Sequence, residues 1–309
     1  MRKVIGIGET LLDIIFKDNK PVEAVPGGST FNAIVSLGRV GADAFFVTET
    51  GDDHVGALVR SFLSSNNVCT DYVLERKGWK SPVSLAFLDS DNNANYTFYR
   101  DPNADPVDIL LPEINPDDIV LFGSFYAVSP ATRARVIALL ERARDRGAII
   151  YYDVNFRPSH RGDVMKVTPN LIENLEFADI VRGSRDDFEV LYKKDSAERV
   201  YRAETSFYCP RLVYTDGPRP VTVFSDGGFR KEYAMPETPT VSTIGAGDNF
   251  NAGLICAMLR YDIRRADIER GLTEAEWSKL IESATAFSAD CCAGIYNYVS
   301  KEFGASHSL

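Results

Sequence analysis

Histidine is scarce in this chain. Only His54, His160 and His307 occur in 309 residues, and none stands at a metal-ligand spacing from another, which argues against a zinc enzyme. Cysteine is sparse and odd in number. Cys69, Cys209, Cys256, Cys291 and Cys292 form no C-x-x-C pair and read as core thiols in a reducing, cytoplasmic setting. No apolar run reaches the length of a membrane span. The apolar start, Val4-Ile5, is soon broken by Glu9 and Asp13, so it reads as a first buried strand rather than a signal peptide. Positive charge is in deficit: 34 Lys and Arg against 44 Asp and Glu give a net −10 and a pI near 5.0. Such a chain is a poor partner for nucleic acid or an anionic membrane, and an anionic ligand must be held by local groups. There is no G-x-x-x-x-G-K-[ST], so a P-loop is absent. Gly6-x-Gly8 lacks the third glycine of a dinucleotide fingerprint, because position 11 is Leu.

What is present is concentrated in two glycine motifs. Near the C-terminus the chain reads Ser242-Thr243-Ile244-Gly245-Ala246-Gly247-Asp248-Asn249-Phe250. Phe250, Gly253, Leu254, Ala257 and Met258 follow at the spacing of one helix face, which puts the glycines at a helix N-terminus. Free N–H groups and the positive end of the helix dipole make an anion site there. Asp248 falls in the first turn. A carboxylate beside an anion hole suits phosphoryl transfer: the amides stabilise charge on the moving group, and the carboxylate takes a proton from the attacking hydroxyl. Taken alone, the same residues are a Gly-rich helix start with a dipole partner. A second motif far upstream, Gly27-Gly28-Ser29-Thr30-Phe31-Asn32, tips the balance.

Between the motifs, apolar strands alternate with helices. Strands are expected at 4–7, 45–48, 119–122, 148–154, 180–181 and 212–215, and helices at 30–37, 55–63 and 130–146. The last helix is read with Ser129 as N-cap, Pro130 in its first position and Gly147 as stop. Residues 83–88 and 96–99 alternate on either side of a polar turn at 89–93 and predict a hairpin. Repeated strand–helix units imply a mostly parallel sheet covered on both faces, with ligands at the carboxyl ends of its strands.

The two motifs, in this order, resemble the ribokinase-like (PfkB) family of carbohydrate kinases over nearly the whole chain, within which fructokinases are the most similar. The resemblance implies a single domain, 1–309, with a three-layer αβα sandwich and a small β-strand lid from about 12–25 and 83–101. It implies an ATP-dependent kinase acting on a primary hydroxyl of a ketose, most simply D-fructose to fructose 6-phosphate. Asp248 would be the base, and Gly245, Ala246 and Gly247 the anion hole. Asp13, Gly27, Gly28, Asn32, Arg100, Asn155 and Arg157 would bind the sugar. Arg100 belongs to Arg100-Asp101-Pro102-Asn103-Ala104-Asp105, similar to a fructokinase stretch, and Asn155 and Arg157 to a D-x-N-x-R shared with 2-keto-3-deoxygluconate kinases. Ser184, Asp187, Thr215, Gly217, Ser283 and Phe287 would border the nucleotide. Magnesium is implied with ATP, held through phosphates and water. A homodimer contact through the lid strands is a family expectation.

The chain also departs from the pattern. Ser242 replaces the Asp that helps arrange a potassium site, which leaves potassium activation open. The family's N-x-x-E is here Ser184-Arg185-Asp186-Asp187, and Pro218-Arg219-Pro220 replaces a lysine-containing turn. These changes motivate an alternative of another class, a sugar-binding regulator without kinase activity. The intact Gly245–Asp248 run argues against it.

Overall fold

The computed structural model describes residues 2–88, 94–101 and 109–309. Fourteen strands are described: β1 Lys3–Ile7, β2 Leu11–Lys17, β3 Lys20–Gly27, β4 Asp43–Gly51, β5 Val68–Cys69, β6 Val73–Arg76, β7 Val83–Leu88, β8 Ala94–Tyr99, β9 Ile119–Gly123, β10 Ile149–Asp153, β11 Ile180–Ser184, β12 Leu212–Asp216, β13 Arg219–Ser225 and β14 Phe229–Tyr233. Eleven α-helices accompany them: α1 Ser29–Arg39, α2 His54–Ser65, α3 Ser124–Val128, α4 Arg133–Asp145, α5 Val164–Phe177, α6 Arg185–Tyr192, α7 Ala197–Val200, α8 Ala246–Arg260, α9 Arg265–Arg270, α10 Glu274–Cys292 and α11 Lys301–Ser306.

The large sheet runs β14-β13-β12-β11-β10-β9-β1-β4-β5, with β6 also on β4. Pairing is parallel from β12 through β5, and only β13 and β14 turn antiparallel at one edge. The strands are short apolar runs because both faces are covered. In β9, Ile119 and Leu121 face one core and Val120 and Phe122 the other; in β10, Ile149 and Tyr151 divide from Ile150 and Tyr152 in the same way. One core is closed by α1, α8 and α10, the opposite one by helices between α3 and α7. This is the expected ribokinase-like sandwich. The expected hairpin is present as β7 paired antiparallel with β8, inside a separate four-stranded sheet ordered β3-β2-β7-β8. Its middle pair, β2 and β7, is parallel. The polar turn at 89–93 and the segment Pro102-Asn103-Ala104-Asp105 lie outside the described residues.

Two details differ from expectation, and a third gives Gly6 and Gly8 their role. α8 is not amphipathic: every residue from Asp248 to Met258 is buried, because α1, α10 and the sheet enclose it. Its approach to α10 needs Gly253, where a Cβ would stand 2.5 Å from the Ser283 carbonyl oxygen. The helix expected at 130–146 begins only at Arg133, and Ser129 is the C-cap of the preceding short helix α3. The backbone prefers closure there: Ser129 N–H bonds Phe125 O at 2.9 Å, and the Thr132 hydroxyl turns back on Tyr126 O instead of capping α4. Finally, Gly6 and Gly8 serve packing. A Cβ on Gly6 would meet the Ile34 side chain at 2.5 Å and one on Gly8 would meet Thr30 at 2.9 Å, so these glycines admit α1 against β1.

Candidate active site

A cleft opens where the small sheet faces the carboxyl ends of β1, β9 and β10 and the N-terminus of α8. Counting the space open to solvent, it holds about 760 Å³. Its lining includes Asp13, Gly28, Asn32, Arg100, Asn155, Arg157, Gly245 and Asp248, residues scattered over more than 230 positions of sequence. Gly27 lies against it, since a Cβ there would stand 2.2 Å from Asp13 Oδ2.

Asp248 is the third residue of α8 and only 6% exposed. Its Oδ1 accepts from the Ser29 hydroxyl at 2.8 Å and its Oδ2 from Asn32 Nδ2 at 2.8 Å. Burial pushes its carboxyl above the usual range; the Asn32 hydrogen bond, the Arg157 charge, Ser29 and Arg182 pull the other way. Gly245 caps the helix in the left-handed region, at φ 77°. The Ala246 N–H is turned back on Thr243 O at 3.3 Å, and the first intrahelical bond is Asn249 N–H to Gly245 O. Gly247 and Asp248 are therefore the first-turn N–H groups without an intrahelical acceptor. A Cβ on Gly247 would touch the Arg182 guanidinium at 2.9 Å. That guanidinium pairs with Asp153 at 3.1 Å and donates to the Thr215 hydroxyl at 2.8 Å. Burial pushes Asp153 up to about 6, with Arg182 opposing, and Asp153 Oδ2 has no protein partner. The N-terminus of α8 thus joins a helix dipole to a buried cation, an arrangement that attracts a phosphoryl group.

At the other end of the cleft, Asp13 lies within β2. It accepts from the Ser84 hydroxyl and, at 3.2 Å, from Asn297 Nδ2. Burial raises its carboxyl to about 6. Gly28, at φ 133°, bends the chain into α1 so closely that a Cβ would stand 2.3 Å from Glu9 O. Arg100 follows β8 and spans to Glu9 at 2.7 Å, tying the small sheet to the end of β1. Arg157 makes no ion pair with any described residue. His160 stacks on Phe125, ring centroids 3.7 Å apart, and its proton affinity is lowered by burial and by Arg100.

The nucleotide-side residues are placed differently. Ser184 and Asp187 form a capping box at the start of α6, and Asp187 Oδ1 also accepts from Phe156 N–H at 2.8 Å. Thr215 ends β12 against Arg182, and Gly217, at φ 56°, makes the open turn to β13. The Ser283 hydroxyl bonds Gly253 O at 2.8 Å, and Phe287 is buried against Phe303. None of these six lines the cleft. Ser242 is buried, and its hydroxyl accepts from Ile244 N–H at 3.2 Å.

Sequence reading missed Glu9, Ser29, Tyr96, Phe98, Phe125, His160 and Asn297 in the cleft, and Arg182 behind it. Two of these left a signal. Arg182 is a charge inside the apolar strand Ile180-Val181-Arg182-Gly183, which a buried strand tolerates only with a partner. Ser29 stands inside the glycine motif. Asn297 left none, because its place depends on the chain returning to β2.

Known proteins share this fold. The family described as pfkB family carbohydrate kinase matches residues 1–292. "Probable fructokinase-6, chloroplastic" of Arabidopsis thaliana is 25% identical over 288 residues, covering 88% of this chain and 74% of that protein. A fructokinase of Vibrio alginolyticus is 22% identical over 263 residues, 84% of this chain and 85% of its own. Among solved structures, fructokinase from Vibrio cholerae O395 bound to fructose, ADP and calcium superposes with a TM-score of 0.85 at 19% identity, covering 100% of this chain and 99% of that one. Aminoimidazole riboside kinase from Salmonella enterica, complexed with aminoimidazole riboside and an ATP analogue, gives 0.83 at 20%, with 99% of both chains covered. Among the described residues no helix is long and apolar enough to cross a membrane, and no cluster of three His, Cys, Asp or Glu could hold a metal. By its two glycine motifs, its sheet order and the match across residues 1–292, the chain belongs to the pfkB family of carbohydrate kinases.

Proposed function

We propose that this sugar kinase transfers the γ-phosphoryl group of ATP to a primary hydroxyl of a ketose, with D-fructose giving fructose 6-phosphate. The observation that carries the reading is Asp248: a buried carboxylate of raised proton affinity, in the cleft, at the N-terminus of α8. The ketose lies between Asp13 and Asp248, with Asn32, Arg100, Asn155 and Arg157 around it, and the small sheet acts as its lid. As the hydroxyl oxygen bonds to the γ-phosphorus, its proton passes to Asp248. The bond to the β–γ bridging oxygen breaks and ADP leaves. The Gly247 N–H and the helix dipole, backed by Arg182, stabilise the charge on the transferring group. Magnesium bound with ATP supplies charge neutralisation on the phosphates. Asp153, whose Oδ2 has no protein partner, is the carboxylate at this end that would reach it through water. Thr215 and Gly217 would lie along the phosphates.

A second reading, a sugar acid such as 2-keto-3-deoxygluconate, is favoured by Arg157, which lines the cleft without an ionic partner among the described residues. One experiment separates these. ADP release is followed with MgATP against fructose, tagatose, ribose, 2-keto-3-deoxygluconate and fructose 1-phosphate. Turnover is expected with fructose, and Asp248→Asn should lower it about a hundredfold or more. Turnover with the sugar acid alone would reassign Arg157 to its carboxylate. Stabilisation by sugar without ADP release would point to the regulator.

A further inference from the structure

Ser29 opens α1 directly after the Gly27-Gly28 turn. A serine at a helix start ordinarily turns its hydroxyl onto the helix's own N–H groups. Here the N-cap is Gly28, and α1 has no side-chain cap. The Ser29 hydroxyl instead crosses to α8 and donates to Asp248 Oδ1 at 2.8 Å, while accepting from Asn155 Nδ2 at 2.6 Å. Asn155 follows β10 and is held at φ 34°, a conformation uncommon for a residue with a side chain. Asn32, one turn further along α1, donates to the other carboxylate oxygen at 2.8 Å.

We infer that Ser29 is a positioning residue for Asp248, the middle of a relay in which Asn155 holds the serine hydroxyl and that hydroxyl fixes the carboxylate. The inference rests on Asp248 being the base. A carboxylate pinned by Asn32 alone can rotate about its Cβ–Cγ bond. A second donor from another direction fixes its plane and leaves the remaining lone pairs for the incoming hydroxyl. Donation from Asn155 polarises the serine O–H and makes it a stronger donor. One N–H of the Asn155 amide is taken by this contact, which leaves its oxygen and the second N–H for the sugar. Donation to the ionised carboxylate also counters the burial that raises its proton affinity.

The test uses Ser29→Ala, Ser29→Thr, Asn155→Ala and the double variant, each checked for folding by circular dichroism, with Asp248→Asn as reference. In S29A, kcat is expected to fall about tenfold, the scale of one hydrogen bond to a charged group. The acid limb of its kcat profile should move to higher pH, because the ionised form has lost a donor. S29T should restore most of both. N155A should shift the limb the same way by less, and the double variant should shift it no further than S29A, the mark of a chain rather than two separate contacts. Carbon-13 spectra of Asp-labelled protein without substrate give a readout independent of the sugar: the resonance lost in D248N should titrate at higher pH in S29A. If S29A does not fold, N155A supplies both readouts. An unmoved acid limb and an unmoved titration overturn the relay. Full turnover in D248N would instead remove Asp248 as the base, and with it the catalytic meaning of the contact.

Discussion

Replacing Asp13 with Asn should make this protein more stable and less active, and the gain should depend on pH. The Asp13 carboxyl is 6% exposed, and burial raises it from 3.8 to about 6. The Ser84 and Asn297 hydrogen bonds only partly offset that burial, and the Asp248 charge adds to it. At 1.36 kcal/mol per pH unit, holding it ionised in the fold costs up to about 3 kcal/mol. The sign follows from linkage. The folded protein holds the proton more tightly than the unfolded chain, so Asp13 is least costly below pH 4. The protein then loses stability as pH rises through about 6. Asparagine never pays this cost. It also fits: its oxygen can accept from Ser84, and its NH2 can donate to Asn297 Oδ1, a buried atom without a partner, once the Asn297 amide turns over. Scanning calorimetry at pH 4, 6 and 8 should show D13N melting about 5 °C above the wild type at pH 8, the gain vanishing near pH 4. Meanwhile kcat/KM for the sugar should fall about ten- to a hundredfold, since a charged acceptor for its hydroxyls is lost. Equal melting temperatures at pH 8, or a gain of the same size at pH 4, would refute the reasoning.

Two further outcomes follow from the proposed anion site. Gly245→Ala places a Cβ 2.5 Å from Asn297 O on a backbone at φ 77°; it should cost at least about 1–2 kcal/mol and displace the first turn of α8. Urea unfolding and kcat should both drop, and an unchanged kcat would show that this turn does not hold the phosphoryl group. Arg182→Ala leaves Asp153 buried without its cation, a loss of about 3–5 kcal/mol. Because Asp153 titrates near 6, the loss should be larger at pH 8 than at pH 5, where the carboxyl can take up a proton. Urea midpoints at the two pH values check this, and an equal loss at both would mean that the pair is not ionised.

Much of the architecture was legible because it repeats a local rule. Apolar runs of four to seven residues, alternating with helical periodicity, read as strands buried on both faces. The glycine run before Asp248 marks a helix start wherever it stands. The misreadings share a cause. Ser129-Pro130 looks like a helix cap in isolation, but α3 ends there and the backbone closes on Phe125. The periodicity after Asp248 suggested a one-sided helix, whereas α8 is enclosed by α1, α10 and the sheet.

By itself the sequence determined the alternation of buried strands and helices that makes the large sheet, and that a glycine-led helix start stands directly before Asp248. These are properties of neighbours along the chain. Only the tertiary structure decided what surrounds that carboxylate. Ser29, Asn32, Asn155 and Arg182 come from three other elements and meet at Asp248 and Gly247 because the sheet order brings β1, β10 and β11 beside one helix end. The same ordering drew Asn297 back to Asp13, 284 residues away. No local pattern encodes such contacts, since they depend on which strands pair and how closely glycine lets the helices approach.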